Sequence, residues 1–157
     1  MKTNVLERTQ LIPRPRHEVF DFFSRAANLE KLTPDNLRFS ILTPEPIPMH
    51  PGTLIDYRIK LSGVPMTWRT KIDVWEPETR FVDIQLSGPY TLWRHEHTFE
   101  DVVTADGRPA TEMGDRLTYA VGFGPLGVLA RALFVDRTVE GIFDYRKRAV
   151  EQIFGKA

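Results

Sequence analysis

Cysteine is absent from the chain. Its absence excludes disulfides, thiolate nucleophiles and zinc–thiolate centres together, and it fits a reducing compartment. Net charge is absent too, because 21 Lys and Arg are balanced by 21 Asp and Glu. A neutral chain exerts no general pull on phosphate backbones or anionic lipid, so nucleic acid is not an expected partner. No apolar run reaches the roughly 20 residues that span a bilayer. The most apolar-leaning stretch, Ala120 to Val135, holds Arg131, Pro125 and three glycines. Residues Met1 to Gln10 alternate apolar with polar and contain no block of signal-peptide length. The expected location is therefore the cytoplasm. Two further absences narrow the chemistry: there is no Gly-x-Ser-x-Gly and no dinucleotide fingerprint. The glycine-rich segment Gly122 to Gly127 lacks the lysine of a phosphate loop and reads as a hinge between strand and helix.

What is present suits one domain spanning residues 1–157. The chain is 41% apolar and 27% charged, the balance of a globular protein with a substantial core. Thr3 to Ile12 reads as a strand stopped by Pro13 and Pro15. Val19, Phe20, Phe22 and Phe23 then follow at helical spacing, predicting a short helix over Arg16 to Arg25 and a second over Ala27 to Leu32. Period two takes over from there. Strands are expected at Leu37 to Leu42, Thr53 to Leu61, Met66 to Trp75, Arg80 to Leu86, Leu92 to Val102 and Thr111 to Val121. In the Met66 strand, Met66, Trp68, Ile72 and Val74 share one face. The end of the chain is helical through Phe154. Val135, Val139, Ile142, Ala149 and Ile153 lie on one stripe, Arg146 interrupts it, and charged residues cover the opposite side.

Strand, two short helices, six strands and a long helix make an α+β architecture. A seven-stranded antiparallel sheet, buried on one face, has to curl around the C-terminal helix, because no other apolar surface can cover that helix. If the short helices close one end, the space between sheet and helix is a pocket.

The same order is similar to that of the SRPBCC or START-like superfamily with its helix-grip fold, and nearly the whole chain takes part. The local matches are Pro15-Arg16-His17-Glu18-Val19-Phe20, Asn28-Leu29-Glu30-Lys31-Leu32-Thr33-Pro34, Gly88-Pro89-Tyr90, Trp93-Arg94-His95-Glu96-His97-Thr98-Phe99 and Phe143-Asp144-Tyr145-Arg146. They look most like the bacterial cyclase/dehydrase-like, ligand-binding branch. The superfamily includes lipid carriers, hormone receptors, polyketide aromatase/cyclases and co-chaperones, and a shared fold does not choose among them. The resemblance also implies that Phe81, Asp83 and Gln85 point inward, although Val82, Ile84 and Leu86 form the more apolar face of their strand.

On a strand, Trp93, His95, His97 and Phe99 share a face, and the aromatics argue that it looks inward. The next strand carries Asp115 among Met113, Leu117, Tyr119 and Val121, in the neighbourhood of His97 or Phe99. Three readings follow for His95, His97 and Asp115. They satisfy one another's hydrogen bonds within the core, they recognise a polar group on a ligand, or they move protons, with the carboxylate orienting an imidazole. A metal bound by His-x-His and Asp115 is conceivable, but no spacing demands it, and neither metal nor other cofactor is expected. The helical zinc-protease motif would need a histidine where Phe99 stands. Tyr57, Trp68 and Tyr119 are expected in the pocket or core, and Asp83 and Gln85 beside His95. Arg146 meets Asp115, meets a ligand carboxylate, or snorkels to water, the last being the simplest.

The leading expectation is a binding protein for a small hydrophobic molecule: a lipid, an isoprenoid or a polyketide-like aromatic. One alternative is a cyclase/dehydratase using His95, His97, Asp115 and Tyr119. The other is a protein–protein module, for which the sequence offers no clear apolar patch. Self-association as a homodimer is left open by the sequence.

Overall fold

The computed structural model describes residues 3–61, 63–121 and 125–157, with the backbone alone described for Leu61 and for 125–137. The strands are β1 (Asn4–Ile12), β2 (Ser40–Ile41), β3 (Leu54–Leu61), β4 (Val64–Glu76), β5 (Arg80–Ser87), β6 (Leu92–Val103) and β7 (Pro109–Ala120). The helices are α1 (Arg16–Phe23), α2 (Leu29–Leu32) and α3 (Pro125–Phe154). All seven strands form one antiparallel sheet in the order β1-β7-β6-β5-β4-β3-β2. This is the helix-grip fold: a curved sheet wrapped on the C-terminal helix.

Alternation decides which face is buried. On β3, Ile55, Tyr57 and Ile59 are buried and face α3, while Arg58 and Lys60 are exposed. On β6 the inner residues His95, His97 and Phe99 are all buried. α3 lies against this face through Val139, Phe143, Arg146, Ala149 and Val150. β1 holds α3 from the side, with an Arg8–Asp144 ion pair at 2.9 Å and a bond from Gln10 Nε2 to the Lys147 carbonyl at 3.1 Å. The core has two parts. Phe20, Phe23, Phe81, Phe99 and Met113 pack under α1, and Ile55, Tyr57, Trp68, Leu117 and Phe143 pack nearer β3.

Three expectations need correction, and one choice left open is decided. The strand expected over Leu37 to Leu42 shrinks to Ser40–Ile41, because Asp35–Leu37 forms a 3-10 turn and Arg38 takes a left-handed φ of 49° that breaks extension. In β4 a bulge at Asp73 shifts the alternation. Trp75, rather than Val74, therefore turns inward and meets Phe20 and Phe81 at 5.3 and 5.4 Å. On β5, whose inward face the sequence left open, Phe81 and Asp83 face α3 as the resemblance implies, while Leu86 is half exposed. At the end of α3, Ile153 is 42% exposed, and Phe154 is the residue that packs inward, 5.2 Å from Phe22. The Val135 side chain lies outside the described residues. So do residues 122–124 of the expected hinge, and Pro125 already belongs to α3.

Candidate functional site

Between β3–β6, the α1–α2 corner and α3 lies a cavity of about 160 Å³. Its walls are largely aromatic. Tyr57 and Trp68 stack at 5.6 Å, Trp68 meets Trp93 edge-on at 4.9 Å, and Tyr90 touches both tryptophans at 5.5 and 4.7 Å. Phe23, Phe81 and Phe143 close the opposite side. The Tyr57 hydroxyl is held by Thr70 Oγ1 at 3.0 Å. Trp68 Nε1 is buried with no hydrogen-bond partner among the described residues, although such groups are nearly always paired.

One corner is charged. His95 Nε2 lies 2.8 Å from Asp115 Oδ1, and His97 Nε2 lies 2.8 Å from Asp83 Oδ2. Asp115 Oδ1 also stands 3.5 Å from His97 Nδ1, and the two imidazole centroids are 3.8 Å apart. Arg146 points into this corner and not to water. Its Nη2 is 3.4 Å from His97 Nδ1 and 3.6 Å from Asp115 Oδ1, and its guanidinium lies 5.2 Å from the Phe23 ring and 5.8 Å from the Phe143 ring. The snorkelling expectation is overturned: at 8% exposure the carboxylates and rings keep the guanidinium inside. Phe81 stacks on His97 at 4.1 Å and fixes the plane of its ring.

Electrostatics splits the two histidines. Burial disfavours a charge on either ring. At His97, hydrogen bonds with Asp115 and Asp83 outweigh burial and raise the pKa above the usual histidine value. At His95, burial and the neighbouring His97 charge win, and the pKa falls. Burial also works against ionised Asp115, but the Arg146 charge and the bonds from both imidazoles hold its carboxyl well below the ordinary range. Asp83 is lowered in the same way against burial, chiefly by its bond with His97 and by the charge of His95. With His97 charged, two cations face two carboxylates and the corner is neutral.

Of the residues singled out in the sequence, Tyr57, Trp68, Asp83, Trp93, His95, His97 and Arg146 line the cavity. Asp115 stands behind the imidazoles. Tyr119 is buried in the neighbouring core, 6.2 Å edge-on from Tyr90. Gln85 bends back to clamp the β5–β6 turn, with Nε2 donating to the Tyr90 carbonyl at 2.7 Å and Oε1 accepting from the Tyr90 N–H at 3.1 Å. Sequence reasoning did not single out Thr70, Tyr90 or Phe143 as site residues. The period-two pattern around Trp68 was the available signal for Thr70, and the helical spacing from Val139 was the signal for Phe143.

Residues 12–142 match the family described as polyketide cyclase/dehydrase and lipid transport. The chain belongs to that family. No curated protein sequence matches it. Among solved structures it is similar to the Zhui aromatase/cyclase from Streptomyces sp. R1128, at 14% identity and a TM-score of 0.73, over 95% of this chain and 92% of that one. It is also similar to a START superfamily protein from Mycobacterium smegmatis, at 13% identity and a TM-score of 0.65, over 95% and 98%. At these identities the likeness establishes the fold alone. No helix among the described residues is long and apolar enough to cross a membrane.

Within this fold, the aromatic wall can hold an apolar body and the charged corner can address an oxygen or a proton. One ligand-type atom each from Asp83, His95 and His97 lies within 4.8 Å of the others, so the corner also has the donor set for a metal ion.

Proposed function

We propose that the protein binds a small, largely apolar molecule, about one aromatic ring in size, that carries an oxygen acceptor. The observation that carries this reading is the aromatic cavity itself, one of whose lining residues, Trp68, has a buried N–H without a partner among the described residues. A buried donor without a partner costs stability, and a ligand oxygen would offset that cost. The volume of about 160 Å³ supports a ring-sized occupant, since an apolar cavity of about 150 Å³ holds benzene. Isothermal titration with monocyclic aromatic ketones and the matching hydrocarbons tests the proposal. The ketones are expected to bind saturably, and Trp68→Phe is expected to weaken them roughly 3- to 10-fold while leaving the hydrocarbons unchanged. No saturable binding across both series, together with no small molecule retained in native mass spectrometry, would overturn it.

A second reading, a cyclase/dehydratase, is favoured by one feature. Each imidazole at the cavity wall is oriented by a carboxylate, the arrangement of a general acid–base pair. An imidazole would take a proton from the carbon between two carbonyls of the substrate. Protonation of a hydroxyl on the adjacent carbon would release water and leave a carbon–carbon double bond. Proton exchange into deuterium oxide at the central carbon of a bound 1,3-diketone, followed by NMR, tests this. Equal exchange rates for the wild type and for His95→Ala/His97→Ala would end the idea.

A further inference from the structure

The charged corner contains an order that mutual hydrogen bonding does not require. Asp115 lies outside the cavity wall and addresses the far nitrogen of both imidazoles, 2.8 Å from His95 Nε2 and 3.5 Å from His97 Nδ1. The nitrogens that remain, His95 Nδ1 and His97 Nε2, converge on one oxygen, Asp83 Oδ2, at 4.0 and 2.8 Å. Asp83, His95 and His97 all line the cavity. We propose that Asp83, His95 and His97 bind one divalent first-row transition-metal ion, with its remaining coordination positions open to the cavity.

Three properties of the corner point this way. Nitrogen and oxygen ligands at about 2.1 Å from an ion stand roughly 3 to 3.5 Å from one another. The observed 2.8 and 4.0 Å bracket that spacing and all three ligand atoms lie within 4.8 Å of one another, so side-chain movement that draws the imidazoles together seats the ion. Metal-ligating histidines nearly always give their other N–H to a carboxylate, which sets the tautomer and strengthens the ligand. Here Asp115 does this for His95 at 2.8 Å and stands 3.5 Å from His97 Nδ1, to which Arg146 Nη2 also comes within 3.4 Å. Charge is provided for as well. Arg146 is 3.6 Å from Asp115 and offsets it, and its contact with His97 is at Nδ1, away from the Nε2 that faces Asp83. That leaves two neutral imidazoles and one carboxylate for a dication. Two nitrogens, one oxygen and no thiolate suit zinc, iron(II) or cobalt(II), whereas calcium and magnesium prefer oxygen alone.

This inference does not depend on the ring-sized ligand, whose binding is measured on chelator-treated protein. The test dialyses that same metal-free protein against ZnCl2 for metal analysis and titrates it with CoCl2 under visible spectroscopy. One ion per chain and a saturable cobalt d–d absorption are expected. Asp83→Asn and His97→Gln should each abolish both signals. Asp115→Asn should keep the stoichiometry and weaken affinity roughly 10- to 100-fold. His17→Gln/His50→Gln, which removes the other two histidines, should bind like the wild type. Circular dichroism checks that each variant is folded. If the Asp83 or His97 variants unfold, the wild-type stoichiometry and spectrum, set against the His17/His50 variant, decide. No stoichiometric binding by the wild type, binding retained in folded His97→Gln, or binding lost in the His17/His50 variant would overturn the proposal.

Discussion

His97 stands directly across from Asp115 in the β6–β7 ladder, yet its short bond, 2.8 Å from Nε2, runs the other way to Asp83 on β5. Asp115 in turn takes its short bond from His95, two residues along the strand, and stays 3.6 Å from Arg146. One carboxylate thus faces three basic side chains drawn from β6 and α3. Replacing it by alanine leaves a buried guanidinium with one anion fewer beside it. Asp115→Ala is therefore expected to cost about 3 to 5 kcal/mol, the usual penalty for removing one partner of a buried pair. Urea denaturation of metal-free protein measures it. A loss under about 1 kcal/mol would show that the three bases do not depend on this group.

Tyr57 offers a pH test beside the charged corner. Burial, and next the negative charge of Asp83, push its phenol pKa upward against the smaller opposing effect of its bond with Thr70. In the unfolded chain the phenol ionises near about 10. The folded protein keeps it neutral past that point. Its contribution to stability is complete below about pH 10 and declines as pH rises further, at about 1.4 kcal/mol per pH unit. Tyr57→Phe loses the Thr70 bond at neutral pH but lacks this alkaline decline. Denaturation midpoints from pH 9 to 11 compare the two proteins, and parallel slopes would contradict the assignment.

Architecture was legible because it rests on periodicity. The strand alternation, the helical spacing at Val19 to Phe23 and the stripe on α3 each come from a burial pattern that the sequence must carry. Two of the misread positions, on β2 and β4, share one cause: a local backbone event with a weak sequence signature. Asp73 is one extra residue in a strand, and it exchanges the roles of Val74 and Trp75. Arg38 breaks extension by a left-handed turn at a residue type that seldom adopts one. On β5 the sequence left the inward face open, because Asp83 is buried against His97 and a paired acid looks the same in sequence as a solvated one. The convergence of Asp83, His95, His97 and Arg146 needed the register of two strands and the rotation of α3. No pattern within any one segment contains that information.

Gly114 has a steric role on β7. It pairs with Thr98 on β6, and a methyl group at that position would press on Thr98 Oγ1. Gly114→Ala is expected to cost about 1 to 3 kcal/mol, as overpacking does. Removing the hydroxyl in Thr98→Ala clears the space, so the double variant should recover most of the loss relative to Thr98→Ala alone. A double-mutant cycle measures the coupling, and additive losses would mean that the glycine serves another purpose.

Gln85 places the aromatic wall through the turn it clamps. Its amide bonds both backbone groups of Tyr90, and Tyr90 packs on Trp68 and Trp93 in the cavity. Gly88 lets the turn close over that amide. Its φ is 155°, and a Cβ there would lie 2.8 Å from Gln85 Cδ. Gln85→Ala is expected to cost about 1 to 3 kcal/mol, because it takes both Gln85 bonds from Tyr90. It should also shift tryptophan emission as Tyr90 moves against the indoles. Gln85→Glu separates the two bonds. The carboxylate still accepts from the Tyr90 N–H but sets a negative oxygen against the Tyr90 carbonyl, so at neutral pH it should destabilise about as much as alanine. Protonation returns a donor to that carbonyl, and the deficit relative to wild type should shrink as pH falls toward 4, near the ordinary glutamate value of about 4.3. Emission spectra and denaturation midpoints at pH 7 and pH 4 test this. Unchanged emission in Gln85→Ala would detach the clamp from the cavity, and a glutamate deficit indifferent to pH would detach it from the Tyr90 carbonyl.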